Sequence, residues 1–208
     1  MASARKHAKM KLLFLASNSE RRSTLLTQLG LQFQVISPTV KEIEISAGTD
    51  AQVIQTVENN ALRKAQSVRL TQDGLIISGD TLVVTRDNQV LGKPQTGEEA
   101  FDMLQQLNGT WHRVISAVAI VDTTTENSSV SHIWSRVRFH NIPPDVIRQY
   151  VSTAEPLGKA GGYAIQGLGG FLVEKVEGSF TAVVGMPFEI LVPLLSEFDV
   201  QIWHYWKS

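Results

Sequence analysis

Cysteine is absent from this chain. That excludes disulfides, thiolate metal sites and cysteine nucleophiles, and it suits a reducing cytoplasm, which is where we expect the protein. Excess charge is missing too. The 19 Lys and Arg and 20 Asp and Glu leave a formal net charge of -1, so no long-range field draws the chain to nucleic acid or to an anionic membrane. Any anion it holds must be held by local geometry. Long apolar runs are also lacking. Leu12–Ala16 follows Arg5, Lys6, Lys9 and Lys11 in the manner of a signal peptide, but about five apolar residues fall short of the roughly seven to fifteen of a signal core. No run approaches a membrane span. We read residues 1–10 as a flexible extension and 11–208 as a single domain.

What is present alternates strand-like and helical patterns, so the expected class is α/β. Leu12–Ala16, Phe33–Ile36, Leu75–Val84, Arg113–Val121 and Ile133–Phe139 have the apolar, Val/Ile/Phe-rich character of strands. The last two flank a polar stretch, Asp122–Ser129, and should form a long antiparallel hairpin. Asp87-Asn88 reads as a turn returning the chain through Val90-Leu91. Helices are expected over Arg22–Gly30, Asp50–Arg69, Gly97–Leu107 and Asp145–Val151, the last opened by Pro143-Pro144. In the longest, Val53, Val57, Ala61, Ala65 and Val68 recur three or four residues apart. Lys64 lies two turns after Val57 and so shares the apolar face.

Several residues look wrong for a plain core. Ser17, Asn18 and Ser19 join a strand to a helix carrying Arg21 and Arg22. Free N–H groups at a helix start, the helix dipole and bidentate guanidiniums suit a phosphate, although ordinary capping explains the serines equally well. Asp80 sits between Leu75-Ile76-Ile77 and Leu82-Val83-Val84. A carboxylate there must be paired, hydrogen-bonded or bound to metal, which suggests a metal ligand or general base at a strand end; a Ser78-Gly79-Asp80 turn is the alternative. Glu42 and Glu44 alternate along an extended segment, and either could help to hold a hard cation. Lys93 follows Gly92 in a turn that usually carries a solvated lysine. His112 reads as a core or surface histidine, and Arg136 and Arg138 as solvent-facing. Glycine crowds 158–170 while Tyr163, Ile165, Leu168 and Phe171 interleave, which argues for positive φ angles or close backbone approach to a ligand over a mobile linker. Ile202, Trp203, Tyr205 and Trp206 would pack on the sheet or cover a subunit contact.

Taken in order, Ala16-Ser17-Asn18-Ser19-Glu20-Arg21-Arg22, Glu42, Ala61-Leu62-Arg63-Lys64-Ala65, Ser78-Gly79-Asp80-Thr81, Leu91-Gly92-Lys93-Pro94, Gly158–Gly167 and Val183-Val184-Gly185-Met186-Pro187 resemble the Maf family from about Leu12 to Leu195. These are nucleoside triphosphate pyrophosphatases. The resemblance implies a mixed sheet with flanking helices, related to inosine triphosphatases, with a cleft between two lobes. It implies cleavage between the α- and β-phosphates with a divalent cation, Mg²⁺ first, with Mn²⁺ or Co²⁺ as alternatives. By the same resemblance Asp80 is the catalytic aspartate and, with Glu42, a metal ligand. Ser17, Arg21, Lys64 and Lys93 would bind the triphosphate. Arg21, Thr81 and Gln166 match positions of substrate choice, and Lys159 with Gln166 fits the branch acting on dTTP and UTP, with modified pyrimidine nucleotides as further substrates. A branch acting on 7-methylguanosine triphosphate, and a nucleotide-binding regulator of cell division, are the competing readings. A homodimer is expected on family grounds, with no nucleic-acid or membrane partner. Glu20, Lys41, Gly79 and Ala182 depart from the usual proline, aspartate, alanine and asparagine.

Overall fold

A computed structural model of the protein describes residues 11–206, so the extension expected over 1–10 lies outside the described residues. In chain order the elements are β1 (Leu13–Ala16), α1 (Glu20–Gln28), β2 (Gln34–Ile36), α2 (Asp50–Gln66), β3 (Leu75–Val84), β4 (Val90–Leu91), α3 (Gly97–Leu107), β5 (Trp111–Asp122), β6 (Ser128–Phe139), α4 (Pro144–Ser152), β7 (Val173–Glu177), α5 (Phe180–Val184) and α6 (Phe188–Glu197). The strands form one mixed sheet in the order β2-β1-β3-β5-β6-β7, with β4 paired on β3. Strand β1 runs parallel to β2 and β3, whereas β3, β5, β6 and β7 are joined antiparallel. This is the mixed α/β sheet with flanking helices that the sequence led us to expect.

The apolar run of β1 is continuous because helices cover both of its faces. Leu13 and Leu15 pack with Leu25 and Leu26 of α1 and with Leu191, Leu194 and Leu195 of α6. Phe14 and Ala16 point the other way, against Ala65 of α2 and Val68. Helix α2 starts from a capping box of Thr49 and Gln52, and Val53, Val57, Ala61 and Ala65 are wholly buried. Lys64 shares that buried face, as its spacing required, and so does Asn60.

The expected β5–β6 hairpin forms in register from Trp111↔Arg138 to Val121↔Ser128, longer than the apolar runs alone suggested. Asn88 takes a left-handed φ of 61° in the β3–β4 turn. Strand β7 and helices α5 and α6 are additions to the expected elements. Pro193 lies inside α6, where its sequence signal reads as a break, yet burial of Leu191, Leu194 and Leu195 holds the helix together. Asp80 is neither at a strand end nor in a turn. Strand β3 runs straight through it, with Asp80 opposite Ala117 of β5.

The glycine-rich stretch is an ordered pair of 3-10 turns, with Tyr163, Ala164 and Leu172 buried. Gly158, Gly161 and Gly162 have positive φ. Gly167 and Gly169 serve a different need. A Cβ on the first would collide with the Glu155 carboxylate and on the second with the Tyr150 hydroxyl. Glu155 there accepts the N–H groups of Leu168 and Gly169 at 3.0 and 2.9 Å and the Tyr150 hydroxyl at 2.8 Å. His112 is a core residue, 1% exposed, with Nε2 2.9 Å from the Tyr163 hydroxyl and Phe139 edge-on. Arg136 is exposed and Arg138 half-buried, and they pair with Glu177 and Glu174. Tyr205 is buried and donates to the Lys11 carbonyl, while the Trp206 indole donates to that of Leu29. Among the described residues no helix is long and apolar enough to cross a membrane.

Candidate active site

Strand β1 delivers the chain into the turn Ser17-Asn18-Ser19, and α1 follows. Ser19 is the N-cap but makes no side-chain cap; the Ser17 hydroxyl, almost fully buried, accepts the Ser19 N–H at 3.1 Å instead. Arg22 fastens this turn to the sheet. Its Nε donates to the Gly185 carbonyl at 2.8 Å, Nη1 to Ser17 Oγ at 3.3 Å and Nη2 to Thr81 Oγ1 at 3.2 Å. Thr81 Oγ1 lies 2.8 Å from Ser116 Oγ, which in turn donates to the Ala182 carbonyl at 2.6 Å. Gly79 explains itself in this setting. A Cβ there would lie 3.0 Å from the Ala117 carbonyl and 3.3 Å from Arg22 Nε, so its absence leaves the guanidinium its room.

A second knot centres on Asp80, 2% exposed. Its Oδ1 accepts from Lys64 Nζ at 2.7 Å and its Oδ2 from Asn60 Nδ2 at 3.0 Å. Lys64 also donates to the Gly79 carbonyl at 3.3 Å and meets Glu42 at 2.5 Å. Glu42 is gripped again by Lys93, at 2.6 and 2.5 Å to its two oxygens. Burial works against the Glu42 charge, but the two ammoniums outweigh it and hold the carboxyl at about 2.

These residues border a cleft of about 980 Å³, walled by Ser17–Arg22, parts of 38–44, Lys64, Thr81, Lys93 and Leu157–Ala160. Six wall residues are Lys or Arg and three are Glu, so a chain of nearly zero net charge concentrates positive charge in one place. The cations feel it. Burial, then Arg22, lowers the pKa of Arg21; burial, then Arg21, lowers that of Lys159. Burial lowers that of Arg22 too, opposed by Asp80 and Glu42. An anion entering the cleft would relieve this repulsion.

Of the residues singled out from sequence, Ser17, Arg21, Glu42, Lys64, Thr81, Lys93 and Lys159 share the cleft wall. Asp80 lies behind it, touching the wall through Lys64. Glu44 and Lys41 line the mouth. Gln166 stands apart, exposed in the turn after Ala164 and outside the lining. Lys159 Nζ donates to the Glu155 carbonyl at 2.5 Å. Sequence reasoning passed over Asn60, although its place one turn before Lys64 on the same helix face was a usable signal. It also gave Arg22 no role separate from that of Arg21.

The Maf-like protein family model matches residues 12–198. The chain belongs to the Maf family. Among curated Maf relatives, a dTTP/UTP pyrophosphatase of Pelotomaculum thermopropionicum is 41% identical over 194 residues, covering 93% of this chain and 100% of the relative. One of Desulforamulus reducens is 42% identical over 197 residues, with 93% and 100% covered. One of Dictyoglomus turgidum is 40% identical over 192 residues, with 92% and 98% covered.

The donor set of this Maf cleft can be tested for a cation. Among the described residues no group of three or more Asp, Glu, His or Cys is arranged as a closed metal site. Two carboxylates, Glu42 and Asp80, meet on the shared ammonium of Lys64. Such a sparse all-oxygen set fits Mg²⁺, which keeps several waters and completes its shell with substrate phosphates.

Proposed function

We propose that the protein hydrolyses dTTP and UTP, with modified pyrimidine nucleotides as further substrates, to nucleoside monophosphate and pyrophosphate. The observation that carries this reading is the gathering of Arg21, Lys64, Lys93 and Lys159 around one cleft, with Lys64 bonded directly to the buried Asp80 carboxylate. Phosphate oxygens compete with carboxylates for these cations. As a triphosphate enters, Lys64 and Lys93 turn from Glu42 to the β- and γ-phosphates, and Asp80 becomes accessible from the cleft. Asp80 then orients a water toward the α-phosphorus and takes its proton; the new P–O bond forms as the bond to the bridging oxygen breaks. The lysines and Arg21 neutralise the charge that grows on the departing pyrophosphate. Glu42 and Asp80 would hold Mg²⁺, which supplies charge stabilisation and in-line orientation of the phosphates when bound.

Substrate choice follows from the same wall. Leu157, Pro38 and Val40 offer apolar surface to a base ring beside the cations. Gln166, placed on its exposed turn, reaches the base edge only when substrate spans the cleft, where its amide offers both a donor and an acceptor. The relatives' names favour dTTP and UTP over 7-methylguanosine triphosphate.

The test is pyrophosphate release from a panel of canonical and modified nucleoside triphosphates, with Mg²⁺ and with EDTA, for the wild type and Asp80→Asn. Release from dTTP and UTP that EDTA abolishes and Asp80→Asn lowers at least about a hundredfold, the usual scale of a general base, supports the reading. Preference for 7-methylguanosine triphosphate overturns the assignment of substrate. Binding without turnover of any nucleotide overturns the enzymatic reading in favour of a nucleotide sensor.

A further inference from the structure

Asn60 is 2% exposed on α2, one turn before Lys64, and both donors and the carbonyl oxygen of its amide are engaged. Oδ1 accepts the Ile43 N–H at 2.7 Å, and Nδ2 donates to the Ile43 carbonyl and to Asp80 Oδ2, both at 3.0 Å. The amide orientation is therefore determined. Flipped, it would set an NH₂ against the Ile43 N–H and an oxygen against two oxygens. Ile43 follows Glu42 directly. Ile43 is 41% exposed, so apolar burial does little to hold the chain at this point, whereas Ile45 packs against the cluster that holds Val53 and Val57. Its other backbone anchors lie at Thr39, which bonds Ser67, and at Ser46 and Ala47, which pair with Val90 and Gln89. Between them the chain from 40 to 45 has no regular structure.

We propose that Asn60 is a positioning residue that locks the Glu42 segment to Asp80. A single rigid amide grips the backbone beside one carboxylate and an oxygen of the other, which fixes the spacing of the two groups that would share a cation. Lys64 touches the same two carboxylates, but through a flexible stem whose head must also serve the phosphates. Asn60 keeps the pair in register when Lys64 lets go. The inference rests on the hydrolytic role proposed for Asp80.

The experiment separates the two. In the substrate-free protein, Asn60→Leu, which keeps the branched shape and number of heavy atoms, and Asn60→Ala are compared with wild type by amide hydrogen exchange, alongside melting temperature. Loss of the two hydrogen bonds to Ile43, whose N–H is the one amide of 41–45 that donates to a partner among the described residues, should speed exchange of that amide by about tenfold or more, with strand β3 unaffected. With dTTP, kcat should fall roughly ten- to a hundredfold and the Mg²⁺ concentration for half activity should rise, as for other groups that orient metal-binding carboxylates, while KM at saturating Mg²⁺ stays near wild type. A folded variant with unchanged exchange at the Ile43 amide, or with wild-type kcat and Mg²⁺ dependence, overturns the proposal. Should Asp80→Asn remain active while exchange at the Ile43 amide still rises in the Asn60 variants, the positional lock stands and the base role falls.

Discussion

Replacing His112 and its partner together, as His112→Phe with Tyr163→Phe, should remove a specific part of the protein's pH dependence. Burial drives the His112 pKa from an ordinary 6.5 to about 3, and its Nδ1 has no partner in the core. A base with a depressed pKa in the folded state contributes stability that is full above 6.5 and is lost as pH falls toward 3, because the unfolded chain takes up the proton first. Between about pH 7 and pH 5 the unfolded imidazole goes from mostly neutral to mostly charged, which costs the wild type about 2 kcal/mol at 1.36 kcal/mol per pH unit. Other groups titrating in this range contribute equally to both proteins. Changing both residues avoids leaving the Tyr163 hydroxyl orphaned in the core, a cost that a single substitution would add. Urea unfolding followed by tryptophan fluorescence at the two pH values gives the difference. Stability of the double variant should fall about 2 kcal/mol less than wild type over that interval. Parallel losses in the two proteins would refute a buried neutral histidine.

Three further outcomes follow from the same geometry. Gly169→Ala should lower stability by about 1–3 kcal/mol through the collision with Tyr150, and Tyr150→Phe should partly rescue it in thermal melts, since the ring then lacks the offending oxygen. Glu42→Gln should flatten the acid limb of stability between an ordinary 4.5 and about 2: a depressed carboxyl contributes fully above the first value and loses its contribution as pH falls through the second. Lys93→Met should leave the melting temperature nearly unchanged, because its side chain is 42% exposed. It should cut kcat/KM for dTTP about ten- to a hundredfold, the worth of one charged hydrogen bond, measured by pyrophosphate release.

Residues whose physical demand is local were legible in the sequence. Leu12–Ala16 read as a buried strand from its continuous apolar character, and Lys64 had to share an apolar helix face because the 3.6-residue period left it nowhere else. Asp80 stood out as a carboxylate in apolar surroundings, although its place in mid-strand depended on Asn60 and Lys64, which only the fold brings to it. Asn60 was passed over: its place one turn before Lys64 hinted at burial, but its partner at residue 43 is brought to it only by the fold. Helix α6 was obscured by Pro193, whose local cost is met by leucines packing on β1, a long-range effect. The glycines at 167 and 169 signalled close approach correctly but not its object, which is the chain's own Glu155 and Tyr150. Arg21 and Arg22 are adjacent and alike in sequence. The sheet assigns Arg22 to hold the turn and leaves Arg21 on the cleft wall beside Lys159.

The most direct test of the central claim is hydrolysis of dTTP in water labelled with heavy oxygen, with the products resolved by mass spectrometry. Attack at the α-phosphorus predicts dTMP carrying one labelled oxygen and pyrophosphate carrying none. Label in the pyrophosphate, or products of dTDP and orthophosphate, would contradict it.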